Sequence, residues 1–332
     1  SKLHFPVYLI KMTPKTNMVN EYTCRFCADQ KLEPLFPARD YMTLDLFGIY
    51  YCPRCDISYT KPELNEDTIK KYYGETYYGT RKGFTDNIIN FFRLKKVTRH
   101  LNVSREEKSI LDVGCGNGNF LLLFLDKKWK VKGTEIAVDS HFKSRISKYI
   151  CKNRLDKCGF SNNQFDVITM WHSLEHLLDP MAYLLESYRI LKNNGLIIVE
   201  VPNFGSWEAR FFGDAWFHLD VPRHTHHFSA ASLKLMLSRA KFTNLSVSYG
   251  PSPIYELFGI TQSIINLFTK KKNLLFNLLN NKPNDSPASL DITLNILLIL
   301  PAILISIVVF FIEALFKKNA IITAYGIKDG NK

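Results

Sequence analysis

The residues best suited to bind a ligand form a D-x-G-x-G-x-G pattern made of Asp112, Gly114, Gly116 and Gly118. An apolar run precedes these glycines, and a helical pattern over Phe120–Asp126 follows them. Glycine lets the main chain turn sharply and lets a ligand approach it closely. Such a turn between a strand and a helix is typical of a site for a nucleotide-type ligand. The alternative is a plain strand-to-helix turn that binds nothing.

The acidic residue of this pattern indicates which nucleotide-type ligand fits. A dinucleotide fingerprint reads G-x-G-x-x-G and places a pyrophosphate at a helix N-terminus. Asp112 stands two residues before Gly114, where a carboxylate repels a phosphate and attracts a cationic amine. S-adenosylmethionine carries an ammonium and a sulfonium and no phosphate. The pattern therefore favours this cofactor over a dinucleotide.

Two cysteine pairs near the N-terminus predict a metal site. Cys24-x-x-Cys27 and Cys52-x-x-Cys55 each offer two thiolates at one turn of the chain. Two such pairs separated by a loop suit a tetrahedral four-cysteine zinc site. Because four thiolates leave no open position, the predicted zinc is structural and holds together a segment too small to bury its own core. The alternatives are a chance spacing or a redox pair.

Candidates for acid–base chemistry lie in two stretches, which contain Trp171, His172 and His176, then His224, His226 and His227. A histidine can take up a proton near neutral pH. We predict His176, His224 and His226 as catalytic residues, with His227 behind them. Trp171 and His172 are expected to line the cofactor near its methyl group. For any single histidine, the ordinary interpretation is a hydrogen-bonded structural residue.

Alternating strands and helices would position these residues. Predicted strands after the glycine turn are Lys130–Thr134, Lys148–Asn153, Gln164–Met170, Leu196–Val201, Phe242–Tyr249 and Ala320–Ile327. A helix is predicted over Met181–Leu191, with Asp179 as its N-cap and a stop at Gly195. Glu135 ends the first of these strands. An acid about twenty residues beyond the glycines can accept hydrogen bonds from both ribose hydroxyls.

The glycine pattern and the string F-D-V-x-x-x-W-H-x-L-E-H-L-x-D-P, at residues 165–180, resemble the class I S-adenosylmethionine-dependent methyltransferases. The string L-D-x-P-R-H-x-x-H-F-S, at residues 219–229, is similar to a segment of those that carry a four-cysteine module. In sugar-modifying relatives a catalytic histidine lies here, and it matches His224. Those relatives have an acid before this histidine, whereas this chain has Arg223.

This resemblance implies an α/β fold with a seven-stranded Rossmann-like sheet, whose last, antiparallel strand lies between strands five and six. It also implies that Asp112 and the glycine turn seat the methionine part of the cofactor and that Glu135 binds the ribose. The predicted parts of the chain are an N-terminal arm over 1–20, a zinc ribbon over 21–61, a helical linker or lid over 62–108, a methyltransferase domain over 109–253 and 319–330, and an apolar helical insertion over 254–318.

The composition indicates the cellular setting. The chain has 332 residues and a net charge of +12, which suits an anionic membrane surface or a nucleic acid as partner. The intact cofactor motif disfavours nucleic acid. Seven cysteines without a visible cleavable signal favour reduced thiols in the cytosol.

The insertion raises the question of a membrane. Ile296–Ile312 is a run of seventeen residues interrupted only by Pro301 and Ser306. A helix of that length reaches about 25 Å, just short of a ~30 Å hydrocarbon core. If the last strand returns to the sheet, both ends of the insertion lie on one side of the membrane. A single span is then excluded, and a re-entrant or in-plane hairpin remains. A lid or a dimer interface is the alternative.

The expected function is methyl transfer from S-adenosylmethionine to a small-molecule, sugar or lipid-linked glycan acceptor. We expect a cytoplasmic protein that is peripheral or monotopic on the inner face of the cell membrane. One alternative is a soluble methyltransferase of nucleotide sugars. Another is a non-catalytic zinc-ribbon adaptor with a vestigial cofactor fold.

Overall fold

The computed structural model describes residues 21–28, 30–73, 84–101, 108–136, 144–250, 253–279 and 289–330. The predicted arm over 1–20 and parts of the predicted linker over 62–108 lie outside these residues. The described strands are β1 (Glu33–Arg39), β2 (Leu46–Cys52), β3 (Ile57–Lys61), β4 (Ser109–Val113), β5 (Lys130–Thr134), β6 (Ile150–Cys151), β7 (Phe165–Trp171), β8 (Leu191–Pro202), β9 (His226–Phe228), β10 (Thr243–Tyr249) and β11 (Ile321–Ile327). The described helices are α1 (Glu66–Ile69), α2 (Phe84–His100), α3 (Asn119–Leu125), α4 (Ser144–Ser147), α5 (Pro180–Ile190), α6 (Trp207–Phe212), α7 (Ala230–Arg239), α8 (Pro253–Phe268), α9 (Leu274–Leu279) and α10 (Ser289–Phe316).

Seven strands form the larger sheet, in the order β10-β11-β8-β7-β4-β5-β6. The five strands from β4 to β8 are parallel to their neighbours among themselves. Every residue of β4 and β7 is buried, as a parallel sheet covered on both faces requires. The predicted seven-stranded Rossmann-like sheet is confirmed. The carboxyl ends of its parallel strands meet at one edge, which is where ligands bind in sheets of this kind.

The last strand returns to this sheet, as the sequence predicts. β11 is antiparallel to both β8 and β10 and lies between them. Ile322 pairs with Val201 on one side and with Tyr249 on the other. Because α8 follows β10 and α10 precedes β11, the two ends of the insertion meet at the same edge of the sheet.

A smaller sheet joins the cysteine-containing segment to the body of the protein. Its order is β1-β2-β3-β9, and all its strands are antiparallel to their neighbours. β1 to β3 come from the N-terminal segment, whereas β9 carries His226 and His227. Ile57 pairs with Phe228, and Tyr59 pairs with His226. The histidine-rich segment is therefore fixed by the N-terminal segment.

Three local expectations differ from the structure. The predicted strand over Lys148–Asn153 is reduced to β6, since Leu155–Lys157 already form a 3-10 turn. The predicted helix stop at Gly195 is wrong, because the chain enters β8 at Leu191, which pairs with Phe165. Cys151 and Cys158 form a disulfide with Cα atoms 5.9 Å apart, so the expectation of reduced thiols is wrong for this pair.

The insertion forms a helical hairpin in which α8 packs along α10. α10 has 28 residues and is longer than the predicted run over 296–312. Among the described residues, α10 is the one helix long and apolar enough to cross a membrane. Only 17% of its most apolar 18-residue stretch is buried within the chain.

Candidate active site

The glycine turn joins β4 to α3 with a backbone that favours glycine. The φ angles are +72° at Gly114 and +73° at Gly118. A Cβ atom at Gly114 would lie 2.6 Å from the Cβ of Ser173, so the segment after β7 contacts the turn closely. At Gly116 no atom of the described residues lies within 4 Å of the Cβ position. The turn therefore leaves space for a ligand at Gly116.

Asp112 lies inside the sheet, just before the glycine turn. Its side chain is 2% exposed, and its Oδ1 accepts a hydrogen bond from Thr169 Oγ1 at 2.7 Å. Burial raises the pKa of this carboxyl group to about 7. A cationic ligand would return the group to its charged form. The buried acid therefore fits the ammonium group of the predicted cofactor.

Glu135 follows β5 and lies on the glycine turn. Its Oε2 accepts a hydrogen bond from the N–H of Gly116 at 2.9 Å, and its Oε1 accepts one from the N–H of Ile136 at 2.9 Å. The structure thus places Glu135, which is predicted to bind the ribose, beside Gly116, where there is space for a ligand. The ribose contact itself stays a prediction.

Trp171 and His172 are neighbours in sequence but face different environments. Trp171 is buried against Phe120, with ring centroids 5.4 Å apart, and the Arg93 guanidinium lies 5.1 Å from its ring. His172 has φ +51° and is held by the hydrogen bond from its N–H to the carbonyl of Glu200 at 2.9 Å. Trp171 belongs to the core between α2 and α3, whereas His172 lies in a polar pocket. That both line the cofactor stays a prediction.

Two carboxylates surround the His172 ring. Its Nδ1 lies 3.3 Å from Glu175 Oε1, and its Nε2 lies 3.5 Å from Glu200 Oε1. Burial alone would lower the pKa of His172, but these two carboxylates raise it to about 9. Glu200 also pairs with Lys96 and accepts a hydrogen bond from Thr323 Oγ1 at 2.9 Å. The imidazolium is therefore fixed between β7, β8 and α2.

Of the three predicted catalytic histidines, the structure brings two together. The rings of His176 and His224 are perpendicular, with centroids 4.6 Å apart. His226 instead packs on Tyr59 with centroids 5.3 Å apart, and its Nδ1 lies 2.8 Å from Thr225 Oγ1. His226 therefore lies against the cysteine-containing segment. The catalytic roles of all three stay predictions.

Arg223 directly precedes His224, and its side chain is fully buried. It pairs with Asp40 at 2.8 Å and with Asp220 at 2.7 Å. Asp40 belongs to the connection between β1 and β2. Arg223 thus ties the N-terminal segment to the loop that carries His224.

The four predicted zinc ligands converge. The sulfur atoms of Cys24, Cys27, Cys52 and Cys55 all lie within 4.8 Å of one another. The sulfur atoms of Cys27 and Cys52 are 3.8 Å apart. Tetrahedral zinc with Zn–S bonds of ~2.3 Å places its sulfur ligands about 3.8 Å apart. The residues fit a structural zinc ion.

Comparison with known proteins gives the same assignment as this geometry. A family model described as a methyltransferase domain matches residues 87–247. Residues 87–247 therefore form a methyltransferase domain that is similar to those of S-adenosylmethionine-dependent enzymes. The matched residues contain the glycine turn, Glu135 and the histidines of the polar pocket around His172.

Three curated methyltransferases illustrate the similarity. A protein of Mycolicibacterium smegmatis, whose name assigns it to the S-adenosylmethionine-dependent methyltransferases, is 28% identical over 138 residues, which are 41% of this chain and 52% of that protein. The ubiquinone biosynthesis O-methyltransferase of Histophilus somni is 26% identical over 154 residues, covering 42% and 64%. The mitochondrial ubiquinone biosynthesis O-methyltransferase of Saccharomyces cerevisiae is 32% identical over 142 residues, covering 38% and 44%. The chain spans about half the length of the curated relatives it matches.

Sequence reasoning missed several residues that build the polar pocket around His172. Glu175 and Glu200 hold His172, and Tyr255 from α8 packs on it with ring centroids 5.3 Å apart. A signal existed for Glu200, because this charged residue interrupts the apolar run Leu196–Val201 in the carboxyl-terminal half of β8. No local pattern marks Tyr255, since it reaches the site only through the fold.

Proposed function

We propose that this chain transfers the methyl group of S-adenosylmethionine to a lipid-linked acceptor at the inner face of the cell membrane. The methyl donor would lie on the glycine turn, with Asp112 next to its ammonium and Glu135 next to its ribose. The acceptor, a glycan or other small polar group carried on a lipid, would enter from the side of α8. Two features of the hairpin support this assignment.

The hairpin is polar inside and apolar outside. Thr261 Oγ1 of α8 hydrogen-bonds to Ser306 Oγ of α10 at 3.1 Å, and Gln262 bonds to Asn266 at 2.9 Å, all of them buried. Large apolar side chains of α10 are instead exposed, among them Ile296, Leu297, Leu300, Leu304, Val308, Phe311, Leu315 and Phe316. Water favours the opposite arrangement, and contiguous apolar surface of this kind is typical of membrane contact. The arrangement suits hydrocarbon.

Basic residues lie at both ends of the hairpin. Lys270–Lys272 follow α8, and Lys317 and Lys318 follow α10. Lys272 pairs with Asp214, so the far end of the hairpin lies against the body of the protein. Lysines at opposite ends of an apolar face favour a hairpin that lies flat in the headgroup region of an anionic bilayer.

The observation that carries the proposal is the contact between this hairpin and the polar pocket. The Tyr255 ring of α8 lies 5.3 Å from the His172 ring and 5.4 Å from the His218 ring. His172 directly follows β7 and adjoins the glycine turn through Ser173. The membrane-facing element therefore forms a wall of the site in which the methyl group would be transferred.

The four cysteines would hold a structural zinc ion. Such an ion would stabilise β1 to β3, and these strands support the pocket through β9. Thr60 donates a hydrogen bond to the carbonyl of His224 at 2.6 Å and lies 2.9 Å from His227 Nε2. The zinc site would thus affect catalysis indirectly, because it would hold the segment that carries His224 and His227 in position.

Methyl transfer from a sulfonium is an in-line displacement at the methyl carbon. The protein must align the acceptor with the methyl group and exclude water. A base is needed only where the acceptor is a hydroxyl or a carbon acid. His176 and His224 are the predicted proton acceptors for such a case.

The test uses the purified full chain with S-adenosylmethionine labelled in its methyl group and with lipid and aqueous extracts of the source cells. We expect label to enter the organic phase, and we expect liposomes containing anionic lipid to raise the rate. The matched control is Asp112→Asn, which should transfer little label from either extract.

The other outcomes decide between the alternatives. Label that enters only the aqueous extract would make this a soluble enzyme of small polar acceptors and would overturn the lipid assignment. Absence of transfer to any extract, together with absence of cofactor binding, would indicate the non-catalytic adaptor.

A further inference from the structure

A second group of metal-binding side chains lies in the polar pocket, apart from the four cysteines. Ligand atoms of Glu175, His176 and His224 all lie within 4.8 Å of one another. Glu175 and His176 belong to the turn after β7, and His224 belongs to the loop before β9. Glu175 and His224 are buried, whereas His176 is half-buried. Two imidazoles and one carboxylate therefore meet where the pocket reaches the surface.

The hydrogen bond made by the His224 ring determines which of its two nitrogens is unprotonated. Its Nδ1 lies 2.9 Å from the carbonyl oxygen of His218. A carbonyl oxygen can only accept, so the ring proton is on Nδ1 and Nε2 carries a lone pair. That Nε2 lies 4.0 Å from Glu175 Oε1. The lone pair of His224 Nε2 thus lies opposite Glu175 Oε1. A cation or a hydrogen-bond donor between the two atoms would interact favourably with both.

His176 is oriented in the same way. Its Nδ1 lies 3.0 Å from the hydroxyl of Tyr73, which donates its proton to the carbonyl of Arg223 at 3.4 Å. A Tyr73 hydroxyl that donates to this carbonyl can accept the N–H of His176, which would leave Nε2 of His176 with a lone pair for a metal ion. Metal-binding histidines commonly donate their other ring N–H to an oxygen in this manner.

The carboxylate of Glu175 is buried beside the His172 imidazolium and makes no close hydrogen bond among the described residues. Glu175 is 1% exposed, and neither of its oxygen atoms has a hydrogen-bond partner among the described residues. Its close charged neighbour is His172, whose Nδ1 lies 3.3 Å from Oε1. A buried carboxylate of this kind fits metal coordination better than a purely structural role.

We infer that Glu175, His176 and His224 bind a divalent transition-metal ion of the zinc class. Two histidines and a carboxylate, with a fourth position open, are a ligand set of catalytic zinc sites. Ligands about 2.1 Å from a tetrahedral ion lie ~3.4 Å apart. The present 4.0 Å between Nε2 of His224 and Oε1 of Glu175 must therefore shorten by about 0.6 Å, within the range of a side-chain rotation.

The open position would take an oxygen atom of the methyl acceptor, such as a hydroxyl. This last step rests on the proposed methyl transfer, whereas metal binding does not. A coordinated hydroxyl has a lowered pKa, so the acceptor would release its proton to solvent water. Its oxygen would then bond to the methyl carbon as the sulfur–methyl bond of the donor breaks. With the ion bound, His176 and His224 serve as ligands rather than as proton acceptors.

The test counts metal ions on the metal-free full chain, without cofactor or acceptor, by titration with Co²⁺. We expect two equivalents. One should show the thiolate charge-transfer absorption of the four-cysteine site, and the other should show only visible absorption from nitrogen and oxygen ligands. Glu175→Gln and His176→Ala should each lose the second equivalent and keep the first.

His227→Gln is the matched control, because His227 is a buried histidine of the same segment that bonds to Thr60 instead. It should keep both equivalents. The thiolate band reports that each variant is folded. A wild-type chain that binds only one equivalent, or a Glu175→Gln variant that binds two, would overturn the inference. Neither result depends on whether methyl transfer occurs.

Discussion

Tyr255 of the apolar hairpin packs on His172 of the polar pocket, with ring centroids 5.3 Å apart. Tyr255 lies within the first turn of α8, whose following residues form the polar inner face of the hairpin. A movement of the hairpin at a membrane would therefore be transmitted to His172.

This contact predicts that a substitution at Tyr255 changes the rate of methyl transfer without changing the affinity for the cofactor. Tyr255→Ala should lower the rate of methyl transfer at least tenfold, because it removes a wall of the pocket, and it should leave cofactor affinity within about twofold. Tyr255→Phe retains the ring and should keep most of the rate. Rates with saturating S-adenosylmethionine and calorimetric cofactor affinities decide this. Equal rates for Ala and wild type would show that the contact has no role in turnover.

The glycine turn gives a comparison between two alanine substitutions. Both Gly114 and Gly116 have positive φ, so alanine at either position should destabilise the chain by about 1 kcal/mol. Only at Gly114 would the new Cβ also meet Ser173, at 2.6 Å, which should add about 1–3 kcal/mol. Urea denaturation of both variants measures the difference. Equal free energies of unfolding would contradict the predicted clash.

Asp112 predicts a pH dependence of cofactor binding. Burial raises its pKa to about 7, so below that pH the group must lose a proton before it can pair with an ammonium. Affinity for S-adenosylmethionine should therefore fall as the pH drops below 7, by up to about tenfold per unit. The Asp112→Asn variant should bind more weakly and lose this slope. Calorimetry between pH 5.5 and 8 would reveal a flat wild-type profile if the assignment is wrong.

The pKa of Asp112 predicts the opposite pH dependence for the stability of the ligand-free chain. Its pKa is about 3.9 when unfolded and about 7 when folded, so folding takes up a proton between these values. The contribution of Asp112 to stability is therefore largest below pH 4 and is lost as the pH rises through 7. Asp112→Asn should remove this dependence from the free energy of unfolding.

Glu200 is predicted to be a major source of stability. Burial alone would raise its pKa, but the charges of Lys96 and His172 lower it. Glu200→Gln leaves Lys96 without this carboxylate and His172 with Glu175 alone, and it should cost about 3–5 kcal/mol. Glu186→Gln is the matched control, since Glu186 pairs with the partly exposed Arg189 and should cost about 0–1 kcal/mol. Similar losses in urea denaturation would show that the Glu200 network contributes little.

The sheet could be predicted because its strands carry local signatures. Phe165–Trp171 is mostly apolar, with five apolar residues among its seven, and the last strand is marked by its own apolar residues. The glycine turn could be predicted as well, because Asp112 and the three glycines lie within one short stretch of sequence, whereas their contacts with the cofactor stay predictions. Glu135 followed from its distance to that turn.

The acceptor half could not be predicted, because its residues meet only in the folded chain. Tyr73, Glu200 and Tyr255 come from three distant segments, and none of them has a local motif. The histidines could have been separated further by strand geometry. In β9 alternate residues point to opposite faces, which places His226 with Phe228 and His227 on the other side.

The exposed face of α10 gives the test of membrane association. Leu300 and Leu304 are 65% and 59% exposed and lie one turn apart. Replacing both with Ser removes two side chains that would each gain about 1.5–3 kcal/mol from burial in hydrocarbon. Binding to anionic liposomes should therefore weaken at least tenfold, while the stability of the chain in detergent stays within about 0.5 kcal/mol. Flotation with liposomes measures the first quantity and denaturation the second.

Leu185→Ser is the control, because Leu185 is an exposed leucine of α5, outside the hairpin. It should leave liposome binding unchanged. If Leu300→Ser/Leu304→Ser binds liposomes as well as Leu185→Ser does, the apolar face contacts protein instead. A second copy of the chain would then be the first partner to test, by sedimentation, since two such faces could bury each other. Loss of binding in the double variant alone would place the face of α10 in the bilayer.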